Sequence, residues 1–382
     1  MNKMNKKIVI INNDTISLWR FRGLLLLDLI RKGNNVICYI PVKDCKETNK
    51  IKSIGVHIRN INLDRTGLNP IKDLLLIISL IRFLKKDAPD IILNFRIKPI
   101  IYGSLAGKLA GVKNIYSIFT GLGYSFYNET PSQIIINLLI RLLLKILFLF
   151  NKNIIFQNLD DLNLFYELKL IPNNKGKVIN GSGVLLSNNV DDFDFYDYSK
   201  PKIHPITFLM ASRFCKEKGI LEYLMACQIL KSKGLKARFL LAGAPDSNPR
   251  SFSENEIRQI ALKSNVEVLG WVDDIRSVIK DSSVFVLPSY REGLPRSSLE
   301  AMAMGRPIIT TDAPGCRETV INGLNGYLVP PKNEIALAAA MEKFILHPEI
   351  IEPMGRESRL LAEKKFDVKK INKVIMREIG LD

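Results

Sequence analysis

The sequence is poor in the residues from which metal centres and disulfide frameworks are built. It has three histidines and five cysteines in 382 residues. Cys38, Cys45, Cys215, Cys227 and Cys316 form no CxxC pair, and their number is odd. A disulfide scaffold, a zinc site and a His-rich metal centre are therefore not expected, and the chain reads as a reduced intracellular protein. No uninterrupted apolar run reaches the roughly 20 residues of a membrane span. The N-terminus, MNKMNKKIVIINN, is basic and then apolar, but Ile8 to Ile11 is too short for a signal-peptide core and reads as a first strand. No short-period repeat and no low-complexity tract is present.

Acids are in the minority, 38 against 55 Lys and Arg, for a net charge of +17. Such an excess attracts anions: nucleic acid, lipid headgroups or phosphorylated small molecules. It does not choose among them, and a Lys-rich solvated surface is the plain alternative. A nucleic-acid-binding protein needs a basic stripe with interleaved aromatics or a known reader motif. Neither is found, so no nucleic-acid partner is expected.

Hydrophobic residues make up 47% of the chain and charged residues 24%, which supports folded cores. The length suggests two domains at roughly 150 residues each. Short β-branched runs alternate with helical stretches. The strand candidates of the first half are IVIINN (8–13), NVICYI (35–40), DIILNF (90–95), NIYSIF (114–119), NIIFQN (153–158) and KVING (177–181). Helices are predicted near 17–32, 70–87, 98–110, 131–150 and 159–168. A second alternation runs through ITFLMAS (206–212), ARFLLAG (237–243), VEVLG (266–270), SVFVLP (283–288), PIITT (307–311) and GYLVP (326–330). Its helices fall near 218–233, 252–263, 296–304 and 333–346. Alternation of this kind predicts an α/β fold of two doubly wound, Rossmann-like domains facing a cleft. Residues 186–205, rich in Asn, Asp and Pro, read as a linker between domains 1–185 and 206–365. Residues 366–382 read as a terminal helix able to return to the first domain.

The sharpest chemical signal is YREGLPRSSLEAMAMGRPIITTDAPGCRETV, from Tyr290 to Val320. It follows an apolar strand, and ligands of open α/β sheets bind beyond the carboxyl ends of strands. Glu292 and Gly293 sit at such an end. The helix beginning near Leu294 to Ser297 offers free N–H groups and a dipole to an anion. Two acids eight residues apart, Glu292 and Glu300, can hold a hexose and a ribose on either side of a diphosphate. Taken alone they are a loop acid and a helix-surface acid. In MASRFCKEKGI (210–220), Arg213 and Lys218 offer a guanidinium fork and a point charge to phosphate oxygens, or are two surface cations. DFD at 192–194 falls in the linker and is not taken as a metal site.

The string EGLPRSSLE with its GRPIITTDAPGCRETV continuation resembles the signature of family 4, the large retaining family of GT-B glycosyltransferases. Within it, the chain is similar to the group that extends polyprenyl-diphosphate-linked oligosaccharides. The resemblance implies that Glu292 contacts donor-sugar hydroxyls and Glu300 the ribose. It implies that the backbone of Gly293, Leu294 and Pro295 holds the diphosphate, and that Arg213 and Lys218 neutralise it. In VEVLGWVDDI, it places Trp271 and Val272 beside the nucleotide base, although Trp271 also reads as a packing residue. The catalytic set expected is therefore Glu292, Arg213 and Lys218. The first half is similar less specifically, through RIKPIIYGSLAGKLAGVKNI, TGLGYSF and IIFQNLDDLNLFYELKLIP. It departs from the family in two places. NNDTISLWRFRG replaces a Gly-rich loop after the first strand, and no catalytic His is assigned, Thr120 occupying that region. Arg20, Arg22, Thr120, Gly121 and Gly123 are acceptor-side candidates; Arg20 and Arg22 are equally a solvated helix start.

The implied activity is a retaining, metal-independent hexosyl transfer. The donor is a UDP-sugar, with an N-acetylhexosamine such as GalNAc expected. The acceptor is an undecaprenyl- or other polyprenyl-diphosphate-linked saccharide of O-antigen or related surface polysaccharide assembly. No cofactor is implied, and the place of work is the cytoplasmic face of the inner membrane. PSQIIINLLIRLLLKILFLF (131–150) bears on that placement. Gln133, Asn137, Arg141 and Lys145 form one narrow polar stripe at about 100° per residue, leaving the rest apolar. The segment reads as a monotopic helix on an anionic membrane surface, with Arg141 and Lys145 near phosphates, or as a helix fully buried between sheet and neighbours. A catalytically silent membrane scaffold of the same fold is the remaining rival.

Overall fold

In a computed structural model of the chain, the described residues are 5–42, 44–64, 69–122, 131–187, 190, 193–246 and 251–381, with side chains left aside at 131–133. Two units are present, Met1–Ser182 with Lys369–Asp382, and Gly183–Val368.

The first unit alternates β1 (Lys7–Ile11), α1 (Thr15–Arg31), β2 (Asn35–Ile40), α2 (Lys46–Ser53), β3 (His57–Asn60), α3 (Pro70–Asp87), β4 (Ile91–Phe95), α4 (Ile97–Leu109), β5 (Asn114–Ile118), α5 (Pro131–Leu147), β6 (Asn153–Phe156), α6 (Leu159–Glu167) and β7 (Gly176–Val178). The strands form a parallel sheet in the order β3-β2-β1-β4-β5-β6-β7. Helices cover both faces, so strands such as Ile8 to Ile11 and Ile91 to Leu93 are apolar on every residue. Asp14, Asn69 and Asn158 cap α1, α3 and α6, each accepting a hydrogen bond from a backbone N–H three residues on. A buried polar cluster ties β2, β3 and α3 together. Asp87 accepts from Arg59 Nη2 at 2.6 Å and Nε at 2.9 Å, and from the Tyr39 hydroxyl at 2.6 Å. The Arg59 guanidinium also lies 4.7 Å over the Phe83 ring.

Two helices of this unit expose apolar faces. α3 buries Leu76, Leu80 and Leu84 but leaves Ile71, Leu74, Leu75 and Ile78 outside. α5 turns Asn137, Leu144 and Leu147 inward and leaves Ile134, Ile135, Leu138, Leu139, Leu142 and Ile146 exposed. The reading of α5 as a fully buried helix is thereby corrected: its inward stripe is too narrow to hide its leucines.

The second unit runs β8 (Thr207–Ala211), α7 (Ile220–Ser232), β9 (Arg238–Ala242), α8 (Glu254–Ser264), β10 (Val266–Gly270), α9 (Ile275–Lys280), β11 (Val284–Leu287), α10 (Arg296–Ala303), β12 (Ile308–Thr311), β13 (Gly326–Val329), α11 (Glu334–Leu346) and α12 (Ile351–Lys365). Its parallel sheet has the order β10-β9-β8-β11-β12-β13. The final helix, α13 (Val368–Glu378), carries the chain back to the first unit. There Asn372 donates to Asp28 at 2.7 Å, and Lys32 to the Leu381 carbonyl at 2.7 Å.

The described residues of 186–205, read above as a linker, belong to the second unit. Arg359 donates to the Tyr196 carbonyl at 2.8 Å and to that of Leu186 at 3.1 Å, and Arg306 to the Ser199 carbonyl at 2.6 Å. Local composition suggested a linker because the segment lacks periodicity; two arginines from later elements, Arg306 buried and Arg359 partly so, bond three of its carbonyls instead.

Candidate functional site

In each sheet the chain reverses direction of growth once, between β1 and β4 in the first and between β8 and β11 in the second. Crevices beyond the carboxyl ends of such strand pairs are where open α/β sheets take ligands. Arg213 and Lys218 follow β8, and Glu292 follows β11, so these three stand at the reversal point of the second sheet.

Their loops are clamped from both sides. The turn at Lys216–Lys218 closes on Gly219, whose φ of +72° and close approach to the Pro288 carbonyl leave no room for a Cβ. The Tyr290 N–H donates to the Glu217 carbonyl at 2.8 Å. On the far side Glu292 N–H donates to the Pro314 carbonyl at 2.9 Å. Gly315, at φ +75°, lies so near the Glu292 and Gly293 carbonyls that a Cβ would overlap them. Held this way, the Glu292 carboxylate accepts from the Lys218 ammonium, both side chains being largely buried. Arg213 is paired with the buried Asp246, whose backbone N–H is fixed by Ser251 Oγ at 2.8 Å. Asp246 lies beyond β9 and was not a sequence candidate; nothing local in GAPD marks it.

Helix α10 starts at Arg296 with Pro295 as its cap residue and no side-chain cap bond. Its first turn contains no acid. Gly293, Leu294 and Pro295 therefore lead into a helix tip whose first N–H groups and dipole remain available to an anion. Glu300, one turn in, is not a plain surface acid. It accepts from Arg296 Nε at 2.9 Å and from the Tyr196 hydroxyl at 2.8 Å. Burial works against the charge of Arg296, but Glu300 and Tyr196 outweigh it and hold the guanidinium above its ordinary range. Burial, with the Glu300 carboxylate adding to it, pushes the Tyr196 hydroxyl well up, so Tyr196 stays a neutral donor. Arg296 stands within the motif and was passed over; Tyr196 was invisible because it comes from 104 residues upstream of Glu300.

Trp271, beyond β10, is 59% exposed and donates its indole N–H to Asp273 at 2.9 Å. It is not the packing residue that was the alternative; Val272, partly buried, packs on the core instead. Trp271 and Glu292 follow strands three places apart in the sheet order, roughly 14 Å at the usual strand spacing. Trp271, Arg213, Lys218, Glu292 and the α10 tip thus form one row along a single sheet edge, suited to an elongated anionic ligand.

The acceptor-side candidates diverge. Arg20 is exposed on α1, whereas Arg22 is buried with its guanidinium 5.0 Å over the Phe95 ring at the end of β4. Arg22 is thus not part of a solvated helix start. Thr120 and Gly121 lie partly exposed just beyond β5; Gly123 lies outside the described residues. Arg96, at the reversal point between β1 and β4, was missed. Its φ of +73° with ψ of 161° is a conformation that costs about 1–3 kcal/mol in a residue with a Cβ.

Residues 197–360 match the family model of glycosyl transferases group 1, and residues 13–158 that of glycosyl transferase 4-like proteins. Over 327 residues, 83% of each chain, the sequence is 30% identical to the N,N'-diacetylbacillosaminyl-diphospho-undecaprenol alpha-1,3-N-acetylgalactosaminyltransferase of Campylobacter jejuni. It is 27% identical to the UDP-Gal:alpha-D-GlcNAc-diphosphoundecaprenol alpha-1,3-galactosyltransferase of Escherichia coli, over 83% of this chain and 80% of that one. The structure superposes on Anabaena HepE, solved with UDP and glucose, with a TM-score of 0.78 at 16% identity, covering 98% of this chain and 100% of that one. A glycosyltransferase from Rickettsia africae gives 0.76 at 19% identity, covering 98% of each chain.

Proposed function

The chain belongs to the group 1 glycosyl transferases, and on that premise we propose that it transfers a sugar from a UDP-sugar to a polyprenyl-diphosphate-linked saccharide, retaining the anomeric configuration. Glycosyl transfer is common to its relatives; the donor, the acceptor and the stereochemistry are this proposal's own content. The observation that carries it is the row at the second sheet's reversal point, where two cations, a clamped carboxylate and an uncapped helix tip meet on one edge.

In this reading the diphosphate lies on the α10 tip. Arg213 and Lys218 take up the negative charge that grows on it as the glycosidic bond breaks, which is where electrostatic stabilisation lowers a barrier most. Lys218 has three N–H donors, so it can keep Glu292 and still reach a phosphate oxygen. Glu292 accepts from sugar hydroxyls and orients the ring; Glu300, itself fixed by Arg296 and Tyr196, accepts from the ribose. Trp271 gives the base a flat exposed surface. The donor sugar proposed is an N-acetylhexosamine such as GalNAc, in line with the activity of the Campylobacter relative. The work is placed on the cytoplasmic face of the inner membrane, and the reaction uses no metal or cofactor.

A panel of UDP-sugars incubated with polyprenyl-diphosphate-linked acceptors, with the lengthened lipid read by mass spectrometry, tests the reading. One donor is expected to be used, with an α-linked product from an α-linked donor. E292A is expected to lower kcat by about 100-fold or more, the scale of losing a transition-state contact. Near-normal turnover in that variant refutes the site assignment. Chelation with EDTA is expected to leave the rate unchanged; a loss restored by added divalent cation contradicts the metal-free mechanism.

A further inference from the structure

Helix α5 is inside out for a helix that meets water. Asn137 is 3% exposed, while Leu138, Leu139 and Leu142 are 57–65% exposed. Ile134, Ile135 and Ile146 share the outward arc. Scattered surface leucines need no explanation, but a contiguous aliphatic face marks a surface that something apolar covers. α3, which like α5 packs on α4, adds Ile71, Leu74, Leu75 and Ile78 at the i, i+3, i+4, i+7 spacing of one helix face.

Charge identifies the occupant. The first unit holds 31 of the 55 Lys and Arg but only 14 of the 38 acids, while the second holds 24 of each. The whole excess of 17 therefore belongs to the unit with the exposed leucines. Lys72, Lys85, Lys86 and Lys145 are exposed on α3 and α5 themselves. A second copy of so basic a unit is repelled; an anionic lipid surface is attracted, and each basic residue near it adds to the attraction. Among the described residues no helix is long and apolar enough to cross a membrane. The 17 residues of α5 reach only about 26 Å. The helix is built to lie along a bilayer.

We infer that the outward faces of α5 and α3 form a docking surface for an anionic lipid bilayer, their aliphatic side chains entering the boundary between headgroups and acyl chains. Docking needs neither donor nor acceptor, so it is tested apart from the transfer reaction. The full chain is floated with vesicles of phosphatidylcholine alone and of phosphatidylcholine with an equal part of phosphatidylglycerol. Binding to the mixed vesicles is expected to exceed binding to the neutral ones by about tenfold or more. L138Q/L139Q/L142Q and L74Q/L75Q are each expected to lower it by about tenfold or more. Their circular dichroism is expected to match that of the parent chain, because the replaced side chains are exposed. Absence of binding to the mixed vesicles overturns the inference, as does unchanged binding by both variants. So does a parent dimer in sedimentation that L138Q/L139Q/L142Q converts to monomer without affecting vesicle binding, for then a second copy covers the face.

Discussion

Asp87 illustrates how much one side chain can hold. Burial disfavours its charge, but the Tyr39 hydroxyl and the Arg59 guanidinium outweigh burial and keep the carboxyl below the usual carboxylate range. A depressed value contributes stability that is complete above the unfolded-state value of about 3.9 and is lost as the pH falls through the lower folded value. D87N is expected to cost about 3 kcal/mol at pH 7, since Arg59 loses its partner in a half-buried setting. In thermal melts the gap between parent and D87N is expected to narrow below about pH 4; a gap constant from pH 7 to pH 3 contradicts the assignment. Residues of this kind are hard to read from sequence. Glu292, Lys218 and Arg213 stand out as candidates because short motifs carry them. The pairing of Lys218 with Glu292, and of Arg213 with Asp246, was not legible, because each joins residues that only the sheet brings together. The buried seat of Arg22 on Phe95 depends likewise on β1 lying beside β4.

At the scale of elements, the loop from Pro288 to Pro295 depends on Gly315. Its positive φ strains any side chain, and the neighbouring atoms are backbone carbonyls, which cannot swing away as a side chain would. G315A is expected to displace Glu292 and Gly293, weakening UDP binding by about tenfold or more and lowering stability by about 1–3 kcal/mol. Calorimetric titration and a melt check both; unchanged affinity shows that the loop tolerates the shift. The strands were readable as β-branched runs because both sheets bury both faces. The strand around His57, β3, was readable although Ile58 is its one apolar residue. Three helices were not. α2, KETNKIKS, has a single aliphatic residue, Ile51. α9 is six residues long. α12 contains Pro353 and Gly355, which read as breakers; the proline falls in the first turn, where its missing N–H costs nothing.

At the scale of the whole molecule, the first unit is made of two stretches of chain distant in sequence. Deleting residues 369–382 removes the hydrogen bonds of Asn372 to Asp28, of Lys32 to the Leu381 carbonyl, and of Asn153 to the Glu378 carbonyl at 3.0 Å. Amide hydrogen exchange is expected to speed up in α1 and β6 of the truncated chain, while β8 to β12 keep their protection. Faster exchange in the second sheet instead contradicts the assignment of α13 to the first unit. The same connectivity orders events during synthesis. A ribosome releases the first 182 residues early and the second unit next, and α13 emerges only after both. Until α13 has emerged, the nascent first unit has its described strands but not this helix, whereas the younger half of the polypeptide already has all the segments its own unit uses.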